Sequence, residues 1–176
     1  MVSLLFLFWM YVVLFAVIGG MRGWAKEILV TFSVILAIFI ITTLERFVPF
    51  MRDAIVGAPR FWIRTIIILA LVFFGYQGPN IPRLAGNNRF VRERLQDILL
   101  GIFLGAINGF LIFGSVWFFL NEAQYPFELI SAPDSATSVG QTALGMIKFL
   151  PPTWLGAPAI YFAVALAFVF VLVVFV

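Results

Sequence analysis

Apolar residues run through this chain in five long blocks, at 2–20, 28–44, 61–77, 98–120 and 155–176. A bilayer core is crossed by ~20 apolar residues, with a usual range of about 17–25, so each block is long enough to span. Four blocks contain no Asp, Glu, Lys or Arg. The third holds Arg64 near one end, where a long side chain is expected to snorkel to the headgroups. In lipid a segment must satisfy its own backbone hydrogen bonds, which predicts helices. The short alternating pattern of a barrel strand is absent. The pattern therefore predicts an all-α integral membrane protein, a bundle of about five transmembrane helices with short interfacial helices.

The connections refine this plan. Residues 21–27 are so few that the first two helices are expected to form an antiparallel hairpin. Within 45–60, Phe47, Phe50, Met51 and Ala54 recur at helical spacing and Pro49 suits a first helical turn. This fits a short helix in the membrane interface or a loop anchored by aromatic residues. Gly78-Pro79 should end the third helix. The segment 80–96 carries Arg83, Arg89, Arg92 and Arg94, and a helix beginning near Phe90 is expected to run on into the fourth block. In 121–154, Val139, Ala143, Met146, Ile147 and Leu150 form one helical stripe, with Ser135 or Ser138 as its cap and Pro151-Pro152 as its stop. The expected organisation is a four-helix membrane core over 1–120, an extramembrane loop with an amphipathic surface helix over 121–154, and a fifth transmembrane helix over 155–176.

Composition strengthens the membrane reading. The chain is 64% hydrophobic and 11% charged, with a mean hydropathy of +1.13. A soluble domain carries roughly 25% charged residues. There is no Cys and no His, which removes disulfides, thiolate chemistry and the usual ligands of zinc, haem or copper. No cofactor or metal is expected. The net charge of +3 suits basic loops against anionic lipid, and no Lys/Arg run of five points to nucleic acid.

No basic stretch or Ala-x-Ala site frames residues 2–20, so they read as a retained span and not as a cleaved leader. The last apolar block stops at Val176 with nothing polar after it. Either the fifth helix ends at the far headgroups or a polar tail follows, and the second is favoured. The loop 121–154 is acidic and poor in Lys and Arg, which suits the outer side. The N-terminus is then expected outside a bacterial inner membrane.

Two local patterns stand out. Gly19-Gly20-Met21-Arg22-Gly23-Trp24-Ala25-Lys26-Glu27 reads as a capped hairpin turn, with Arg22 near the negative end of one helix dipole and Glu27 near the positive end of the next. It could also serve as a docking surface. Gly101, Gly105 and Gly109 are spaced by four and share one helix face, where another backbone can approach closely. That approach is expected from the first or second helix of the same chain, with a second copy or another protein as the alternative. Asn108 beside them needs hydrogen-bond partners and should face a helix. It could alternatively line a conduit. Thr31, Ser33 and Ser115 have no neighbouring His or Lys to activate them and are expected to bond to backbone carbonyls.

These motifs resemble the CvpA-like (colicin V production protein) family. Arg22-Gly23-x-x-Lys26-Glu27 is similar to its R-G-x-x-[RK]-E turn. Asp97-x-x-Leu100-Gly101-x-x-x-Gly105-Ala106-x-x-Gly109 is similar to its D-R-x-L-G-x-x-x-G-A-x-R-G segment, with Ile98 and Asn108 where the family commonly has arginine. The resemblance covers about residues 1–120, the CvpA-like core. It implies an inner-membrane protein linked to toxin production and export and to envelope phenotypes, with no established enzyme activity.

The sequence therefore points first to a non-enzymatic scaffold or accessory subunit. Its expected partners are membrane lipids and other proteins of a respiratory, photosynthetic or secretion assembly, or a second copy of itself. A transporter or channel component is the alternative. It would need polar residues converging within the membrane, and only Asn108 is legible as one.

Overall fold

A computed structural model describes residues 3–77 and 91–175, and every regular element among them is helical. The elements are α1 (Leu4–Arg22), α2 (Trp24–Phe47), α3 (Pro49–Asp53), α4 (Ala58–Tyr76), α5 (Val91–Glu122), α6 (Ser138–Ile147), α7 (Pro151–Trp154) and α8 (Ala159–Phe175). Four of them, α1, α2, α4 and α5, are long and apolar enough to cross a membrane. Among the described residues a fifth crossing is reached if the pair formed by 138–154 and 159–173, bent by 58°, counts as one span.

The fifth apolar block is thus not one continuous helix. Residues 155–158 leave the helical path, and α8 starts only after Pro158. The proline ring disfavours helical backbone at the residue before it, so the apolar block is longer than the helix it contains. The stripe at 139–150 is also shorter as a helix than its spacing predicts. α6 ends at Ile147, and Leu150 becomes the residue that leads into α7. Pro151-Pro152 therefore begin a helix instead of stopping one, which suits residues that lack a backbone N–H. The cap of α6 is Thr137, whose Oγ1 accepts from the Gly140 N–H at 3.0 Å, and not Ser135 or Ser138. The expected helix end at Gly78-Pro79, the residue Phe90, and Arg83 and Arg89 lie outside the described residues.

Gly23 alone joins α1 to α2, with φ of 84°. Chain neighbours are nevertheless not the main packing partners, because α1 lies chiefly along α5. Small residues on both helices allow this. A Cβ on Gly105 would stand 2.9 Å from the Cα of Gly19, and one on Gly109 would stand 2.9 Å from the Cα of Val12. Glycine inside a helix costs about 1 kcal/mol relative to alanine. At Gly101, Gly105 and Gly109 that cost is offset by backbone-to-backbone contact that any side chain would prevent.

α4 packs antiparallel on α2, with Gly75 against Ser33 and Val30. The core between α2, α4 and α5 is built from Val34, Ala37, Ile38, Ile68, Leu111 and Ile112, all buried. A second cluster gathers Phe8 and Val12 of α1, Trp117 of α5, Ala143 of α6 and Leu150. Met146 and Ile147 pack against it, so the apolar stripe faces α1 and α5 from Ala143 onwards, while Val139 stands exposed. α8 runs beside α2, with Phe170 against Phe32 and Tyr161 against Phe39.

Candidate functional site

At the α1–α2 junction four helices meet around one carboxylate. Glu27, in the first turn of α2, is fully buried. Arg22, in the last turn of α1, donates from Nη1 to its Oε1 at 2.9 Å. Asn108 of α5 donates from Nδ2 to its Oε2 at 2.8 Å and to its backbone carbonyl at 2.9 Å. The Tyr76 hydroxyl of α4 stands 3.5 Å from Oε2 as a long donor. Thr31, one turn further along α2, donates towards Asn108 Oδ1 at 2.7 Å and lies 3.2 Å from the Glu27 carbonyl. Each strong acceptor position on Glu27 is occupied by a donor of this chain, as a buried carboxylate requires.

Arg22 does more than pair with Glu27. Its Nη2 donates to the Tyr76 carbonyl at 3.1 Å, and its guanidinium lies 4.1 Å from the centre of the Tyr76 ring. A cation at the last carbonyls of α4 complements the negative end of that helix. The sequence places Arg22 and Glu27 at two separate dipoles. The structure pairs them with each other and uses the arginine on a third helix.

Asp97 closes the same end. Its Oδ1 accepts from the Trp24 N–H at 3.3 Å, satisfying a free donor at the start of α2. The positive φ of Gly23 requires glycine there, and a Cβ would also stand 2.8 Å from that oxygen and push the Asp97 carboxylate aside. Lys26 is half-buried and takes no part in the network. Gly101, Gly105 and Gly109 contribute by drawing α1 against α5, which sets Asn108 opposite Glu27.

A second charged cluster sits at the opposite end of the bundle. Arg64 of α4 is buried and does not snorkel outwards. It donates from Nε and Nη2 to the two carboxylate oxygens of Glu45 at 2.6 and 2.9 Å, and from Nη1 to Glu122. Arg60 adds a contact to Glu45 at 3.3 Å. The fork of one guanidinium thus ties α4 to α2 and α5. Sequence reasoning missed this cluster, because the partners lie on different helices and each looks like an ordinary loop-side charge.

Glu27 and Glu45 stand 18 positions apart on α2, since 45 − 27 = 18, which is ~27 Å at 1.5 Å per residue. Between the clusters the core is apolar. Ser115, buried in α5, donates to the Leu111 carbonyl, and Ser33 donates to the Leu29 carbonyl. Among the described residues no group of three or more Asp and Glu is placed to hold a metal ion. No protein-family model matches this chain, and no curated protein or solved structure matches it either.

Proposed function

We propose that this chain is an integral protein of the bacterial inner membrane that acts as a non-enzymatic scaffold or accessory subunit. The observation that carries the reading is the placement of its charges. Two ion-paired clusters lie ~27 Å apart along α2, close to the ~30 Å thickness of a hydrocarbon core. An unbroken apolar layer of Val34, Ala37, Ile38, Ile68, Leu111 and Ile112 separates them. Such clusters pin helices at both membrane faces, with mostly apolar side chains packed between them. The motif resemblance to the CvpA-like family supports the same kind of protein, with toxin production or export as the process it serves. Respiratory, photosynthetic or secretion assemblies and self-association are the contexts that fit. The acidic loop 121–154 and the N-terminus are then outside.

A second reading, a transporter or channel component, draws on one observation. Glu27 is a buried ionisable group with Asn108, Thr31 and Tyr76 around it, and such groups often mark ion or proton paths. Flux measurements on purified protein in liposomes separate the two. The scaffold reading expects proton and alkali-cation flux equal to that of empty liposomes. Flux that Glu27→Gln or Tyr76→Phe removes would establish the transport reading.

A further inference from the structure

We infer that residues 138–175 form a single broken membrane span, and that its first arm, 138–154, is sunk in the hydrocarbon with its outer face against acyl chains. The depth of the arm carries this. Its tip, Leu150 and Pro151, is seated on Gly114, where a Cβ would stand 2.7 Å from the Pro151 ring and 3.5 Å from Leu150. Gly114 lies 8 positions before Glu122, since 122 − 114 = 8, which is ~12 Å along α5 at 1.5 Å per residue. The tip therefore lies well inside the level of the Glu45, Arg64 and Glu122 cluster. The second arm, α8, runs antiparallel to α2. Its Tyr161 packs on Phe39, which is 45 − 39 = 6 positions, or ~9 Å, inside Glu45. Its Phe170 packs on Phe32, and its end at Phe175 comes level with Glu27.

Irregular backbone at membrane depth must satisfy its own polar groups, because lipid cannot. The break between the arms does so. Six consecutive carbonyls, from Met146 to Pro151, accept hydrogen bonds from within the arm. The backbone N–H groups of Phe149, Leu150, Thr153 and Leu155 serve Met146, Ile147, Leu150 and Pro151 at 2.8–3.3 Å. Thr153 Oγ1 donates to the Lys148 carbonyl at 3.1 Å, and Trp154 Nε1 donates to the Phe149 carbonyl at 3.2 Å. Pro151 and Pro152 have no N–H to satisfy. Polar side chains of α6 also turn back on the chain, Gln141 onto the Ser135 carbonyl and Thr142 onto the Ser138 carbonyl. A loop in water needs none of this, since water fills such positions. Leu144, Phe149 and Trp154 stand exposed on the arm and suit acyl chains. Lys148 is exposed beside Phe149, and its long stem returns the ammonium towards the headgroups.

The inference rests on the membrane reading above and can fail separately from it. The chain has no Cys, so a single-Cys variant reports on one position. The test places the full chain in discs of phosphatidylcholine and phosphatidylglycerol, with both faces open to water, and adds a membrane-impermeant maleimide. Three exposed positions are compared: Phe149→Cys on the arm, Leu129→Cys in the loop before it and Ile66→Cys on the outer face of α4. Leu129→Cys should react fast. Phe149→Cys and Ile66→Cys should both react about tenfold or more slowly, because apolar surroundings suppress the reactive thiolate. A nitroxide attached through Phe149→Cys should meet dissolved oxygen more often than a water-soluble nickel chelate, as one attached through Ile66→Cys does. Phe149→Cys reacting as fast as Leu129→Cys while Ile66→Cys stays slow would overturn the sunken arm alone, as would a nitroxide at 149 shielded from both oxygen and nickel. All three positions reacting alike would overturn the membrane reading and this inference together.

Discussion

Asn108 gives its amide nitrogen to Glu27 twice, once to the carboxylate at 2.8 Å and once to the backbone carbonyl at 2.9 Å, across 81 positions of sequence. That pairing joins α5 to α2 through two fully buried side chains. Asn108→Ala leaves a buried carboxylate with one donor fewer. The expected loss is about 1–3 kcal/mol, the cost of an unsatisfied buried polar group. Thermal or denaturant unfolding in detergent measures it, and an unchanged midpoint would mean that water or lipid headgroups replace the amide.

The Arg22–Glu27 pair predicts strong non-additivity. Either Arg22→Gln or Glu27→Gln alone strands a partner, at about 3–5 kcal/mol when the stranded charge is buried. The double variant strands none and should cost less than the two singles summed. A double-mutant cycle reads the coupling directly. Additive losses would show that the two side chains act independently.

Glycine substitutions should divide by place. Gly105→Leu drives a side chain into the Phe15 carbonyl and the Gly19 Cα, and should cost on the order of 1–3 kcal/mol by overpacking. Gly145→Ala, inside α6, meets no atom within 4 Å and should stabilise that helix by up to about 1 kcal/mol. Stability of both variants in one detergent tests the contrast. Equal effects would mean that the α1–α5 contact is not close.

At the other end of the bundle, Arg64→Lys should fail to restore what Arg64→Gln loses. An ammonium is a point charge and cannot fork between Glu45 and Glu122. Glu45→Gln should cost more than Glu122→Gln, because Glu122 is 43% exposed and Glu45 only 21%. Unfolding of the four single variants gives the ranking, and a Lys variant as stable as the parent would contradict the forked pairing.

Much of the architecture was legible from hydropathy. The four long helices lie where apolar blocks predict them, because length and apolarity are local properties of the chain. The Gly101, Gly105 and Gly109 spacing showed a face open to close approach by the first or second helix, and the structure puts α1 there. The polar clusters were not legible. Glu27 reads as a helix-start acid and Arg64 as a snorkelling base until the partners on other helices are known. Asn108 carried the one usable signal, since an amide among apolar residues must find a partner. Gly156 and Pro158 mark the break at 155–158, a signal that the hydropathy of a whole apolar block does not register.

If this chain serves as part of a larger membrane assembly, the particle released from native membranes into polymer-bounded lipid discs, without detergent, should show it by mass. The expected particle holds the 19.8 kDa chain at fixed stoichiometry with another protein or a second copy. Discs containing one copy of the chain and lipid alone would overturn the scaffold reading.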